Sequence, residues 1–459
     1  MRVWMAGDTI MAERTLNASQ VASMLVSTSC GVGFLLGTGE LALQQGMSAC
    51  LYPFATALGL TVLALVARSL WTDGQSIWTR FDQRYGASVG SRVALLSLVW
   101  MTGVLAAQIR GGCALLALIG FTPTAGLMLI DGTLIALSIM RLSWLSAGFA
   151  ICMLASNATL VGSLVEAGGI DVWLRAPVHF VEALQQQAPP RPGLTLISIV
   201  LMVSCGADYQ QFLIAARTPA AARAGCILAA AIVFALGFLP ACAVITASAV
   251  GHLDHLGDPA QAIPVLLIHT LSGNSASMAR IPVIIMLVST ALGSGCAILR
   301  AMSGATATLG GPSVMRPIWS RFLPVVSASL VASRGQGLVE TMVDLNVIYI
   351  TAVGPLLGLS LLKIHASDKA ANSGITTGCA IAMTCYLIRW TNIAVLPEAT
   401  ALFFVLPLSL VVALASRRRV GASSTALNQS SALHQPDPSP GALSAGGLPP
   451  HLSGDSGGG

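Results

Sequence analysis

The residues best suited to chemistry in this chain are uncharged oxygens, placed where a helix would be interrupted. Positions 26–39 read Val26-Ser27-Thr28-Ser29-Cys30-Gly31-Val32-Gly33-Phe34-Leu35-Leu36-Gly37-Thr38-Gly39, with four glycines and four Ser or Thr in fourteen residues. Inside an apolar run this composition can unwind a helix and expose backbone oxygens, which is what an ion site in a membrane requires. Small residues also serve close helix packing, so the composition leaves both readings open. A weaker copy follows at Leu201-Met202-Val203-Ser204-Cys205-Gly206, echoing Met24 to Ser27 and Ser29-Cys30-Gly31. Two interrupted segments five helices apart are what an inverted five-helix repeat would place around one central site. In a third segment, Met286 to Gly295, the hydroxyls of Ser289 and Thr290 stand side by side on an apolar helix. Such hydroxyls can also bond back to the carbonyls of their own helix.

These residues must be carried by membrane helices. Of 459 residues, 55% are hydrophobic and 9% charged, against about 25% charged in a soluble domain. That excludes a secreted enzyme, a nucleic-acid binder and a disordered scaffold. Apolar segments occur near 19–43, 47–67, 93–119, 122–140, 146–167, 194–215, 221–249, 281–307, 317–332, 336–362, 374–391 and 399–416. At about 20 residues per crossing, these make about twelve spans in an all-α polytopic protein. With the N-terminus inside, 17 of the 23 Lys and Arg fall in inner segments and five in outer loops, and Arg110 lies within the third span. Basic loops stay cytoplasmic, so both termini are expected in the cytoplasm and the protein in the cytoplasmic membrane. No short apolar region with a cleavage site precedes the first run, so no cleaved signal peptide is expected. The Ser, Gly and Pro content beyond Arg417-Arg418-Arg419 predicts a disordered tail. The ten cysteines show neither CxxC nor Cys/His spacing and read as small apolar core residues. No nucleotide loop, His-Glu-x-x-His motif, nucleophile triad or basic aromatic patch is present, so the chain does not read as an enzyme.

In order along residues 5 to 385, the chain resembles the sodium/solute symporter family of bacterial proline, pantothenate and sugar symporters. The resemblance rests on Met5-Ala6-Gly7, the Gly-rich stretch ending at Gly37, Arg84-Tyr85-Gly86, and Ala107-Gln108 with Gly111. It continues through Gly206-Ala207-Asp208-Tyr209-Gln210-Gln211, Ala215-Ala216-Arg217, Asp258-Pro259, Ile263-Pro264 and Ser289-Thr290. It implies a LeuT-type core of five plus five inverted helices, with core helices 1 and 6 broken. The expected organisation is a cytoplasmic segment 1–18, a ten-helix core 19–362, two further spans in 363–416 and a tail 417–459. The resemblance further implies a sodium site at the carbonyls of Ser27, Cys30 and Met286 and the hydroxyls of Ser289 and Thr290. A small hard cation prefers such an oxygen cage. Substrate would lie beside Gly31, Gly33, Ser204 and Gly206, near Gln108 and Arg110. No cofactor is implied beyond Na+ as coupling ion, and the partners are a small-molecule solute, sodium and the bilayer, with no nucleic acid and no obligate protein partner.

Two departures shape these expectations. Many members carry a helix before core helix 1, whereas the sequence begins just ahead of the Ala-Gly segment, so that helix is absent or lies upstream. The fifth span has Trp144-Leu145-Ser146 where many members place Trp-Thr-Asp, which favours one cation over two. Arg110 either pairs with a substrate carboxylate or snorkels to the outer interface. Glu40, Asp131, Asp208, Glu340 and Asp344 are expected near span ends or beside partners, with Asp208 at the cytoplasmic end. His252, His255 and His269 cluster around one outer loop. The implied activity is sodium-coupled import of a small polar organic solute by alternating access. The alternatives are a proton-coupled or uncoupled carrier of the same fold, or a transporter-like membrane sensor.

Overall fold

A peptide group in an apolar surrounding must find its hydrogen bond locally, which favours helices throughout. In the computed structural model the described residues are 14–140, 142–187, 191–253, 256–272, 276–310, 319–334, 337–362, 364, 366–391 and 402–414. They form α1 (Ala18–Ser29), α2 (Val32–Gln45), α3 (Leu51–Asp73), α4 (Ile77–Tyr85), α5 (Ala87–Ala117), α6 (Pro123–Ser138), α7 (Leu142–Glu166), α8 (Ile170–Leu174), α9 (Ala176–Gln185) and α10 (Arg191–Cys205). Then follow α11 (Ala207–Ile214), α12 (Pro219–Gly237), α13 (Leu239–Ala249), α14 (Ala262–Ser272), α15 (Ala276–Gly310), α16 (Trp319–Ala332), α17 (Leu338–Leu361), α18 (Asp368–Trp390) and α19 (Leu402–Leu414). The only strand-like pairing among the described residues is one bridge, Leu16 to Ala216. The chain divides between Arg417 and Arg418, and every described residue belongs to the first unit. Met5 to Gly7 and the tail lie outside the described residues.

Each of the twelve apolar segments carries a helix or a pair of helices. Among the described residues, four helical stretches are long and apolar enough to cross a bilayer alone, and the bent pair of α10 and α11 makes a fifth; shorter apolar helices, among them α6, α16 and α19, accompany them. Local chemistry fixes the helix starts. The Asn17 side chain accepts from the Gln20 amide while Gln20 returns a bond to the Asn17 amide, a reciprocal cap that satisfies two otherwise orphaned donors. Thr122-Pro123 and Thr218-Pro219 each pair a capping hydroxyl with a proline at the next position.

Small residues set the helix spacing. A Cβ on Gly59 would stand 2.7 Å from Val203 Cβ, and one on Gly225 would stand 2.6 Å from Val21 Cγ1, so α3 meets α10 and α12 meets α1 at backbone distance. Large apolar side chains such as Leu65, Met128, Ile151 and Leu362 are exposed, as a lipid-facing surface requires.

The two ends of the bundle differ. The end where Arg14 to Asn17 enter, here the lower end, is strapped shut. Leu16 N–H donates to Ala215 O (3.1 Å), Arg217 N–H donates to Leu16 O (2.8 Å), and Arg217 Nε donates to Thr15 O (2.6 Å). From α3, Trp71 Nε1 donates to Ala216 O at 2.8 Å, while Arg14 lies over the Trp71 ring at 4.1 Å and donates to its carbonyl. Gly74 ends α3 in a left-handed conformation (φ 61°), and a Cβ there would meet Arg14 Nη2 at 2.7 Å. The upper end instead holds a cavity of about 240 Å³, whose polar lining comes from Glu40, Gln44, Gln45, Ser48, Gln187 and Thr195.

Trp71→Ala removes a cation–π contact and a hydrogen bond, worth about 1 kcal/mol each. Hydrogen–deuterium exchange at residues 15–17 and 215–217 should rise while exchange in α5 stays unchanged; equal exchange at the strap in both proteins would count against its role in closing the lower end.

Candidate functional site

The first break lies between α1 and α2. Gly31 is extended (φ −60°, ψ 171°), Cys30 N–H still reaches Val26 O at 2.7 Å, and the next carbonyl to accept is that of Gly31, from Phe34 and Leu35 at 3.0 and 2.9 Å. Among the described residues no backbone amide reaches the carbonyls of Ser27, Thr28, Ser29 or Cys30. Four acceptors are therefore released in the middle of a buried helix, because an interrupted helix orphans its last carbonyls.

The opposite side of the break presents donors. Gly33 N–H donates to Gln108 Oε1 of α5 at 3.2 Å. A Cβ on Gly33 would stand 2.9 Å from Gln108 Nε2, and one on Gly31 would stand 2.7 Å from Ser294 Oγ of α15. Bare backbone at both positions lets α5 and α15 close on the break.

The second break, at Gly206 (φ −64°, ψ 123°), bends α10 against α11 by 41°. Two of its freed carbonyls are occupied: Gln210 Nε2 donates to Ser204 O and Tyr349 Oη to Cys205 O, both at 2.9 Å. The Ser204 hydroxyl turns back to Val200 O at 2.8 Å. The first break thus offers four acceptors, whereas the second covers the two nearest Gly206.

On α15, Thr290 Oγ1 donates to the Met286 carbonyl at 3.0 Å, and Ser289 is half-buried. The hydroxyl that meets the first break is Ser294, which is fully buried without a hydrogen-bond partner. It stands four residues beyond Thr290, about 6 Å along the axis. Sequence reasoning passed over Ser294, although Gly293-Ser294-Gly295 held the signal: a hydroxyl flanked by bare positions on a helix that must pack closely. A Cβ on Gly295 would stand 2.6 Å from Leu134 of α6.

Gln108 and Arg110 do not converge. At 100° per residue they leave α5 about 200° apart, and Arg110 is half-buried with its Nη1 enclosed and unpaired. Asp208 corrects an expectation. It is the second residue of α11, immediately after the break and 1% exposed, rather than at a helix end near the cytoplasm. The break itself accounts for this, since it creates a helix N-terminus deep in the bundle, where a carboxylate is favoured. Among the described residues Asp208 forms no ion pair. Asp131 accepts from Ser329 Oγ at 2.6 Å, joining α6 to α16. The His252 and His269 rings stack at 4.4 Å. His255, and the side chains of Trp144 to Ser146, Glu340 and Asp344, lie outside the described residues.

Gln108→Ala should leave the buried Gly33 amide unpaired, costing about 1–3 kcal/mol, and Gln108→Glu, which keeps the acceptor, should recover most of the loss in thermal unfolding. Equal stability of both variants would show that this bond does not hold the break.

No family model matches the chain, and no curated protein matches it. Solved structures do. A Na+-coupled sialic acid symporter in a substrate-bound, outward-open state superposes with a TM-score of 0.66 at 14% identity, covering 90% of this chain and 91% of the other. Mhp1, a nucleobase-cation-symport-1 family transporter in a closed conformation, gives 0.60 at 13% identity over 92% and 96%. The manganese transporter of Eremococcus coleocola gives 0.51 at 12% identity over 91% and 94%. The chain has the all-α membrane fold shared by these LeuT-type transporters.

Proposed function

We propose that the protein is a secondary active transporter that couples inward sodium movement to import of a small polar organic solute across the cytoplasmic membrane. The observation that carries this reading is the set of four carbonyls at the first break that no backbone amide satisfies. Sodium would be held by the Ser27 and Cys30 carbonyls from α1 and by the Met286 carbonyl with the Ser289 and Thr290 hydroxyls from α15. The Ser294 hydroxyl stands close enough to the break to join or replace them. Solute would lie between Gly31 and Gly33 on one side and Ser204 and Gly206 on the other, with Gln108 ordering the break and Arg110 placed further round α5.

The two ends of the bundle support alternating access. Arg14, Arg84 and Arg217 lie at the strapped lower end, which supports a cytoplasmic position for that end by the basic-loop rule. The cavity at the upper end then faces outward. A cation that binds better in this state than in its opposite shifts the population toward it, and its release into a low-sodium cytoplasm would complete the cycle. One of the structural neighbours is a Na+-coupled symporter.

Purified protein should gain thermal stability in sodium chloride over choline chloride, by about 2.7 kcal/mol at a hundredfold excess over Kd. Ser289→Ala/Thr290→Ala should abolish that gain, as should Ser294→Ala if Ser294 is a ligand. In proteoliposomes, an imposed sodium gradient should drive uptake of a solute drawn from amino acids, carboxylates, sugars or vitamins. Uptake indifferent to sodium and unchanged in the double variant would falsify the coupling.

A further inference from the structure

Asn346 of α17 stands out among buried polar groups. Val339, Val343 and Asn346 recur at helical spacing and form one stripe. Val339 and Val343 line the upper cavity, and Val339 Cγ2 is the atom that a Cβ on Gly37 would meet at 2.8 Å. Asn346 lies seven residues below Val339, about 10 Å along the axis. The same distance down the antiparallel α2 from Gly37 reaches Cys30 and Gly31, the first break. One turn beyond Asn346, Tyr349 Oη bonds Cys205 O at the second break. Asn346 is therefore level with both interruptions.

Its side chain is fully buried, and neither Nδ2 nor Oδ1 has a hydrogen-bond partner. A carboxamide can donate twice and accept twice, and sealing it from water with all of these unmet is destabilising. Native interiors hold few such groups, and each calls for a cause. The other carboxamides at this level are already engaged, Gln108 by the Gly33 amide and Gln210 by the Ser204 carbonyl. Arg110 diverges from Gln108, so no cationic side chain joins Gln108 on this face of α5.

We propose that Asn346 binds the transported solute, Oδ1 accepting from a ligand N–H and Nδ2 donating to an adjacent ligand C=O. The solute class is then one with an amide-type edge: an amide, lactam, ureide or nucleobase. This rests on the transport reading and narrows it.

Two measurements on the full-length protein test it. The first needs no solute. Asn346→Leu and Asn346→Met each remove unmet polar atoms at similar volume, so the melting temperature should hold or rise; a fall in both variants means that the amide has a structural partner and overturns the assignment. The second compares stabilisation by 2-pyrrolidinone, uracil and allantoin with that by glucose and lactate, in sodium chloride. At least one of the first three should bind, with apparent affinity falling about ten- to a hundredfold in Asn346→Leu. Binding only of glucose or lactate, binding unchanged by Asn346→Leu, or silence of all five probes overturns the proposal. A wild-type sodium response that persists through such a result leaves the transport reading standing, whereas its absence means that sodium coupling itself has failed.

Discussion

Everything in this structure depends on the cost of an unpaired peptide group away from water. A continuous helix avoids that cost, so a chain that interrupts two of its buried helices needs specific means to carry the interruptions. Those means are visible. Gly31 and Gly33 admit α5 and α15 to backbone distance, Gln108 takes up one freed amide, and Gln210 and Tyr349 take up two freed carbonyls. The surrounding helices follow from this need, since α15 brings Ser294 to the bare Gly31 while its own Gly293 and Gly295 let α7 and α6 pack closely on its other sides.

The two breaks share a geometry but differ in chemistry. At the second, side chains of the protein itself cover the Ser204 and Cys205 carbonyls, which suits a joint between α10 and α11. The first keeps its carbonyls available, and nearby polar atoms such as Ser294 Oγ are likewise unmet, which suits a place where something binds. The lower half-helix α11 is also tied to its neighbours, by Gln211 Nε2 on Ala297 O at 3.4 Å and by the strap at residues 215–217. A change at the second break would therefore be felt at the lower end of the bundle.

Much of the fold was legible because lipid imposes long apolar runs, and each of the twelve segments read from hydropathy carries helix. Both breaks were legible too, because Gly with Ser in an apolar run signals interruption. What escaped was whatever depends on the partner helix. Which carbonyls are covered at Gly206 is decided by Tyr349, 144 residues from Cys205, and no local pattern announces that contact. Asn346 is not legible because an isolated polar residue in a span has the same appearance whether it faces lipid, a neighbour or a site. The Asp208 motif adjoins basic residues and so points to the cytoplasmic end, whereas the break draws it inward. The short helices α4, α8, α9 and α14 were invisible to a window tuned to membrane crossings.

The strap between residues 14–17 and 215–217 has a consequence for how the molecule is made. The broken pair α1 and α2 leaves the ribosome well before the segment that fastens its lower end, which is encoded about two hundred residues later. At about 5–20 residues per second, that is a wait of roughly 10–40 s, during which α1 and α2 sit in the bilayer with released carbonyls and no lock. The capping box at Asn17 and Gln20 is local and forms at once, so it would hold the start of α1 through that interval, long before the bundle is complete.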